Sequence, residues 1–292
     1  MFNLHLIMLQ QSTIQLLRFH FSFFLVPVYL FAVSQAEELS ISRALIIFII
    51  LHVLVYPASN GYNSFMDRDE TAIGGLKNPP QPTKELFYTT IVMDLLALVA
   101  SLLISGLFFV CILLYIIASR AYSYRPIRLK KYPVIGFLTV FIFQGAVIYF
   151  ATYNGIQPND SPAIPVLPSI ISSCLIGALY PLTQIYQHIE DKKDGVTTIS
   201  YILGKRGTFL FSAAFFIMTA FLFYQLFDRA AEIKNLVIFM IIMSPVVLFF
   251  LYWMCRVLLH EHEANFENSL RMNVLSTFCT TVFFIILILK KY

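Results

Sequence analysis

Charged residues are scarce in this sequence. They make up 12% of its 292 residues, whereas hydrophobic residues make up 59%, and the mean hydropathy is +0.77. A water-soluble domain carries about 25% charged residues, so the composition excludes an ordinary soluble globular protein. It also excludes an intrinsically disordered chain, which combines low hydrophobicity with high net charge.

Dense blocks of basic residues and closely spaced cysteines are also missing. The net charge is only +4, so we expect no nucleic-acid partner. The cysteines form no C-x-x-C pair, which argues against a zinc site and against a disulfide framework. We interpret them as packing residues in or beside apolar runs: Cys111, Cys174, Cys255 and Cys279.

The apolar residues fall in long continuous runs. In a bilayer only helices and closed barrels satisfy every backbone polar group, and these runs lack the alternation typical of barrel strands. We therefore expect an all-α polytopic membrane protein, a single domain over residues 1–292, with nine transmembrane helices. The expected spans are 15–34, 41–59, 86–105, 107–121, 133–152, 164–186, 207–227, 235–257 and 272–289.

The boundary between the third and fourth spans decides the topology. Ser105 and Gly106 indicate a very short turn there, whereas a single fused helix would move every later loop to the other side. With nine spans and an inner N-terminus, most of the 20 lysines and arginines lie inside, as the positive-inside rule requires. We therefore place the N-terminus and the polar loops in the cytoplasm and the C-terminus on the opposite side. The basic residues left outside are Arg43, Arg229, Lys234, Lys290 and Lys291.

A polar segment, residues 60–82, follows the second span. Asn63, Asp67 and Thr71 recur at intervals of four, so they share one face of a helix. Glu70 follows Asp67 by three residues and falls beside it. We expect the helix to continue past the apolar zone and to stop at the glycine and proline pairs that follow.

A second acidic segment, residues 184–206, follows the sixth span. Gln187 and Asp191 repeat the interval of four, Asp194 follows by three, and Gly195 is a natural helix terminator. Clustered carboxylates raise one another's pKa unless a cation lies between them, and Mg²⁺ binds carboxylates together with substrate phosphates. We prefer a Mg²⁺–diphosphate site to two ordinary solvated loops, because the two segments hold a large part of the chain's 16 acidic residues: Asp67, Asp69, Glu70, Glu190, Asp191 and Asp194.

The loop at 119–132, SRAYSYRPIRLKKY, is strongly basic. One interpretation is a topogenic loop that contacts anionic lipids. The other is a phosphate clamp, in which arginine offers a planar fork and lysine a point charge.

Three motifs resemble those of the UbiA family of intramembrane prenyltransferases. Asn63 to Thr71 resembles the first aspartate-rich motif, N-D-x-x-D-x-x-x-D, and Gln187 to Gly195 resembles the second, D-x-x-x-D followed by glycine. Tyr122 to Lys130 resembles the family's Y-S-x-P-x-R-x-K loop. The resemblance covers nearly the whole chain and implies a helical bundle whose cavity opens to the cytoplasm.

The resemblance also implies roles for residues. The expected catalytic residues are Asp67, Asp191, Arg128 and Lys130, and the expected Mg²⁺ ligands are Asp67, Glu70, Asp191 and Asp194. Ser64, Thr71 and Gln187 depart from the family's aspartates, and we expect Glu70 and Asp194 to supply the lost charge. The expected substrate-binding residues are Asn63, Arg68, Lys77, Tyr122 and Gln187.

The expected reaction moves an isoprenoid chain from a prenyl diphosphate to a lipophilic, usually aromatic acceptor through an allylic carbocation. We expect membrane lipids, but no obligate protein, as further partners. One alternative is a degenerate member of the family without activity, because of the departures from its motifs. Another is a transporter or lipid-binding protein, because carboxylates at a membrane boundary also mark ion pathways. Asp94, inside the third span, either lines the cavity or pairs with another helix.

Overall fold

In the computed structural model, which describes residues 9–158 and 162–292, long helices make up nearly the whole molecule. The predicted all-α architecture is confirmed, since the described residues form no strand beyond one isolated bridge, Ile73 to Leu76. The N-terminus lies outside the described residues. The helices are α1 (Gln11–Gln35), α2 (Ile41–Asp67), α3 (Lys84–Ser101), α4 (Gly106–Ser123), α5 (Pro133–Ile156), α6 (Val166–Gln184), α7 (His188–Lys193), α8 (Ile199–Arg229), α9 (Ile233–Leu259) and α10 (Phe266–Lys291).

Eight of the described helices are long and apolar enough to cross a membrane. Of the nine predicted spans, the one left out of that set is the third, α3, which has 18 residues and carries Lys84, Glu85 and Asp94. The predicted break before the fourth span is confirmed. The hydroxyl of Ser105 accepts a hydrogen bond from the backbone N–H of Phe108 at 3.1 Å, and this side-chain cap begins α4.

The helices pack in chain order around the centre of the molecule. Each long helix contacts the next one along the chain, and α10 packs against α1 and so closes the ring. Large aromatic side chains fill the interior between helices, where Phe31 stacks on Phe284 with ring centroids 4.9 Å apart. All four cysteines are free thiols; Cys111, Cys174 and Cys279 are buried, as expected of packing residues, whereas Cys255 is exposed.

Three helices near the centre are irregular. α1 is interrupted at Arg18, whose φ of 47° is left-handed, and continues as a 3₁₀ turn over Phe19–Leu25. α2 and α5 contain π-helical segments at Ile50–Val55 and Phe141–Val147. Such segments widen a helix locally and are frequent at functional sites.

α2 ends earlier than the spacing of polar residues predicts. Arg68 has φ 56° and ψ 42°, a left-handed conformation that terminates the helix directly after Asp67. The prediction that Thr71 shares a helix face with Asn63 and Asp67 is therefore wrong, and Glu70 lies in a loop rather than on the next turn of the helix.

The loop after α2 folds back onto α1 through a tight turn at the two glycines. Ile73 and Leu76 exchange backbone hydrogen bonds of 2.9 Å each, and Gly75 has a φ of +79°. A Cβ on Gly74 would lie 2.6 Å from the Phe21 ring. Glycine at this position therefore lets the loop lie directly against α1.

The second acidic segment ends as predicted. α6 stops at Gln184, and α7 carries Asp191 on a separate short helix. Gly195, with φ 69°, donates to the carbonyl of Lys192 at 3.1 Å, and Val196 donates to the carbonyl of Asp191 at 2.7 Å. This pair of bonds is a Schellman motif, the usual ending at a C-terminal glycine.

Candidate active site

One cavity gathers most of the polar motifs. It has a volume of about 180 Å³ and lies where α1, α2, α4 and α6 meet the loops that follow α2 and α7. Its polar lining includes most of the residues that the motifs predicted, which come from three separate parts of the chain: Asn63, Asp67, Tyr122, Lys130, Gln187 and Asp191.

Asp67 lies at the polar end of this cavity and is held by two cations. Its side chain is only 3% exposed and forms ion pairs with Lys130 and, at 3.1 Å, with Arg128. A buried carboxylate needs such compensation, because moving an ion out of water costs several kcal/mol. This cost is similar in size to the attraction between the paired charges. The basic loop is thus part of the cavity wall.

Arg128 joins the first acidic segment to the second. Its guanidinium contacts Asp67 and also pairs with the carboxylate of Asp194, whose backbone carbonyl accepts a second bond at 3.0 Å. Asp194 also pairs with Arg125 at 2.9 Å. Burial opposes ionisation of Asp194, but the hydrogen bonds from Arg128 and Arg125 outweigh it and lower the pKa of this carboxyl.

Asp194 is therefore a partner of the basic loop and is absent from the lining of the cavity. Arg125 further donates to the backbone carbonyls of Met66 and Asp67, at 2.8 and 3.3 Å. These bonds satisfy carbonyls that the end of α2 leaves without helical partners.

Asp69 and Asp191 face the cavity without close cationic partners among the described residues. Burial, and then the neighbouring charge of Asp67, raises the pKa of Asp69 to about 6. Burial raises the pKa of Asp191 to about 7, with Lys130 opposing this shift and Asp69 adding to it. Both values reflect carboxylates that are short of compensating positive charge.

Besides Arg128 and Asp194, which lie beside the cavity without lining it, three further predicted site residues lie on the surface away from it. Arg68 and Glu70 are exposed on the loop after α2, and Lys77 is exposed and pairs with Glu267 of α10. Arg68 and Glu70 lie outside because a left-handed turn at Arg68 replaces the expected helical turn. As a result Asp69, and not Glu70, lines the cavity.

Hydroxyl and amide groups connect the cavity walls. The Tyr122 hydroxyl bonds to that of Tyr180, which accepts a bond from the Gln184 amide at 2.8 Å. Gln187 donates to the carbonyl of Ala72 at 3.2 Å, which ties the second acidic segment to the loop after α2. Asn63 donates to the Ser123 hydroxyl at 2.9 Å.

The sequence motifs do not predict several of the polar residues that line the cavity, among them Arg18, Asp69, Tyr180 and Gln184. Tyr180 and Gln184 are four residues apart at the end of α6, so their shared helix face was a usable signal. No helical spacing could have indicated Asp69 or Arg18. Asp69 reaches the cavity because Arg68 before it is left-handed, and Arg18 is itself left-handed.

A second, more apolar cavity adjoins the first. It has a volume of about 140 Å³ and shares Ser59, Tyr115, Gln144 and Tyr180 with the first cavity. It extends between α1, α5 and α6 and is lined further by Phe24, Leu25, Ile176 and Leu179. Apolar space inside the bundle therefore lies directly beside the polar site.

Asp94 lies outside both cavities and pairs with Arg120 of α4. The same guanidinium donates to Thr90 and lies over the ring of Tyr62, 3.9 Å from its centroid. Of the two roles that the sequence left open, the structure shows the pairing between helices.

Comparisons with known proteins agree on one family. The sequence profile of the UbiA prenyltransferase family matches residues 24–277. The fold is similar to that of a UbiA homologue from Archaeoglobus fulgidus bound to DMAPP and Mg²⁺, at 18% identity and a TM-score of 0.70, covering 95% of this chain and 99% of that one. A UbiA homologue from Aeropyrum pernix K1 gives 15% identity and a TM-score of 0.68 over 91% and 97% of the two chains. No protein with curated annotation matches.

Proposed function

The chain belongs to the UbiA prenyltransferase family, and from that premise we propose that it transfers an isoprenoid chain from a prenyl diphosphate to an electron-rich acceptor inside the membrane. It is a multi-pass integral membrane protein. The observation that carries the proposal is the pair of adjoining cavities, one lined by carboxylates and cations and the other mainly by apolar side chains. This arrangement suits a substrate with a diphosphate head and a hydrocarbon tail.

The carboxylates of the cavity fit Mg²⁺. Asp67, Asp69 and Asp191 offer hard oxygen ligands, and the raised pKa values of Asp69 and Asp191 indicate a site that a divalent cation would stabilise. No three acidic, histidine or cysteine side chains of the described residues are close enough to enclose a metal by themselves. Diphosphate oxygens and water would therefore complete the shell, as is usual for Mg²⁺.

The bound metal would supply positive charge to the departing diphosphate. Within the chain, we assign the same role to Lys130, which lines the cavity, and to Arg128 beside it. We assign Asp69 in place of Glu70 as the second carboxylate of the first motif, because Asp69 reaches the cavity and Glu70 does not. Asp194 orients Arg128 and Arg125.

In the proposed reaction the C–O bond of the prenyl diphosphate breaks, and pyrophosphate leaves with the electron pair. The allylic cation is then attacked by a carbon of the acceptor, which loses a proton. Aromatic rings line the cavity, including those of Tyr115, Tyr122 and Phe143, and the face of an aromatic ring stabilises a cation. The enclosed apolar space excludes water that would otherwise capture the cation.

Two alternatives from other classes remain testable. A degenerate member of the family would keep the fold and bind prenyl diphosphates without turnover. A transporter would move its ligand across the membrane and release it unchanged.

The test is incubation of the purified protein in lipid nanodiscs with Mg²⁺, prenyl diphosphates of increasing chain length and a lipid extract from the host. Mass spectrometry identifies prenylated products, and released pyrophosphate measures turnover. We expect product from the wild type and none from Asp67→Asn. Absence of product with every donor from a folded, ligand-binding wild type would overturn the proposed activity.

A further inference from the structure

His188 is the first residue of α7, the short helix that brings Asp191 to the cavity. Isolated helices shorter than about 12–15 residues are marginal in water, and α7 has only six. The direction in which α7 presents its side chains therefore depends on contacts with other elements. Asp194 contacts the basic loop and Gln187 contacts the loop after α2, whereas His188 contacts α8.

A chain of hydrogen bonds joins His188 to two hydroxyls of α8. The Nε2 atom of His188 lies 2.8 Å from the Oγ atom of Ser200, which lies 3.0 Å from the Oγ1 atom of Thr208. Both hydroxyl residues are fully buried. The Thr208 hydroxyl has one proton, and its two carbonyl neighbours, those of Gly204 at 2.8 Å and Ser200 at 3.2 Å, can only accept it.

The direction of each bond in this chain follows from that last pair. Because the Thr208 proton goes to a carbonyl, the Thr208 oxygen accepts from the Ser200 hydroxyl, and Ser200 in turn accepts from the imidazole. His188 is therefore a donor through its Nε2–H. Burial, and then the positive charge of Lys205, lowers the pKa of His188 to about 4, so the imidazole is neutral at neutral pH.

The same bonds bridge a break in α8. Gly204 has φ 65° and ψ 175°, a non-helical conformation that divides α8 into a short first part and a long second part. Ser200 lies in the first part, and Thr208 lies in the second, which packs against α6 and α9. The bonds from Thr208 through Ser200 to His188 therefore tie α7 to a helix embedded in the bundle.

The segment that begins at α7 forms part of the cavity wall. Asp191 lines the cavity three residues after His188, and Val196 and Thr198 line it between α7 and α8. His188 is absent from that lining. It can therefore affect a bound ligand only through the residues that it holds in place.

We propose that His188 is a positioning residue for the second acidic segment. Its bond to Ser200 fixes the orientation of α7 relative to α8, and this orientation keeps the Asp191 carboxylate directed at a divalent cation bound with the diphosphate. The inference rests on the proposed function, because that function places the cation and the diphosphate in this cavity.

The test measures the affinity of the full-length protein in nanodiscs for inorganic pyrophosphate, in Mg²⁺ and in EDTA. Ser200→Ala removes the acceptor, and His188→Asn replaces the donor with an amide too short to reach it. His188→Gln carries the same amide one methylene further out and restores the reach. The matched control is Ser212→Ala, because Ser212 is also a buried serine of α8, but its hydroxyl has no hydrogen-bond partner among the described residues.

We expect Ser200→Ala and His188→Asn each to weaken binding in Mg²⁺ by about fivefold, the effect of losing one hydrogen bond. The double variant should lose no more than either single variant, because both changes remove the same bond. His188→Gln should recover most of the affinity, and Ser212→Ala should bind as the wild type does. In EDTA all the proteins should bind equally weakly, because Asp191 acts through the cation.

Wild-type affinity in folded Ser200→Ala and His188→Asn would overturn the inference. Equal losses in Mg²⁺ and in EDTA would also overturn it, because they would indicate a general loss of structure. If Ser200→Ala does not fold, His188→Asn and His188→Gln decide, and equal affinities of these two variants would refute the positioning role. A wild type that binds pyrophosphate no more tightly in Mg²⁺ than in EDTA would instead contradict the proposed function itself.

Discussion

At the scale of single residues, the site is a balance between buried carboxylates and the cations around them. Asp67 is fully compensated by Arg128 and Lys130, whereas Asp69 and Asp191 have raised pKa values because burial outweighs the compensation they receive. The motif positions Asp67 and Asp191 were predictable from sequence. The role of Asp69 was not, because it depends on one left-handed residue, Arg68.

Asp69 and Glu70 are neighbours with different surroundings, so they form a matched pair. We expect Asp69→Asn to lower kcat/KM for the prenyl diphosphate by about tenfold or more, equivalent to roughly 1.4 kcal/mol, because a cavity carboxylate is lost. Glu70→Gln removes an exposed charge from the same loop and should behave as the wild type does. If Glu70→Gln is as damaging as Asp69→Asn, the sequence-based assignment of Glu70 as a ligand is right after all.

Binding of a divalent cation should depend on pH through the two carboxyls with raised pKa. Protons compete with the cation for these oxygens, so affinity for Mg²⁺–pyrophosphate should rise as pH increases through the pKa values of Asp69, about 6, and Asp191, about 7. Isothermal titration calorimetry measures the affinity at each pH.

Asp191→Asn is the control for that pH series, because the proton equilibria of pyrophosphate itself are common to both proteins. The variant should show weaker binding and a shallower increase with pH than the wild type. Identical pH profiles for the two proteins would show that ionisation of Asp191 does not govern metal binding.

Arg128 and Lys130 should differ in their effects on stability. Removal of one partner of a buried ion pair leaves an uncompensated charge and costs about 3–5 kcal/mol, and Arg128 holds both Asp67 and Asp194. We therefore expect Arg128→Ala to lower the thermal unfolding temperature as well as pyrophosphate affinity. Lys130→Ala should mainly lower affinity, since Arg128 still compensates Asp67; equal losses of stability would contradict this division.

At the scale of helices, the positions of breaks determine which residues reach the site. The turn before α4 was predictable, because Ser105 is a strong helix cap. The end of α2 at Asp67 was not predictable, because the nearest helix-breaking residues in the sequence, Gly74 and Gly75, come several residues later. The interruption of α1 at Arg18 likewise has no helix-breaking residue at that position, so only the packed structure reveals it.

Close contact between α5 and α6 gives a test of helix packing. A Cβ on Gly145 would lie 2.4 Å from the Cα of Ser173, a backbone atom that cannot rotate away. We expect Gly145→Ala to destabilise the protein by about 1–3 kcal/mol, the usual range for overpacking, measured by thermal unfolding in detergent. Gly106→Ala is the control, because its Cβ would meet nothing within 4 Å; equal unfolding temperatures for the two variants would contradict the observed contact.

At the scale of the whole molecule, the ring of helices brings distant motifs to one end of the bundle. Hydropathy alone predicted the nine long helices, and the positive-inside rule predicted one shared side for the acidic and basic loops. The sequence could not predict how α1 closes against α10, because that contact depends on packing between segments at opposite ends of the chain.

The orientation of this ring is open to a direct test. We predict that α7 lies on the cytoplasmic side and the turn between α8 and α9 on the other, because lysine and arginine concentrate in loops on the α7 side. Single cysteines replacing Glu190 and Glu232, in a background without the exposed Cys255, should react with a membrane-impermeant maleimide from opposite sides. Labelling of both from one side would refute this topology.

The account's central claim is that the cavity binds a prenyl diphosphate through its carboxylates and a divalent cation. The direct measurement is the affinity of purified protein for geranyl diphosphate in Mg²⁺ and in EDTA, for the wild type, Asp67→Asn and Asp191→Asn. We predict that Mg²⁺ raises wild-type affinity by about tenfold or more and that either substitution removes most of this increase. Equal wild-type affinity in Mg²⁺ and EDTA would contradict the claim.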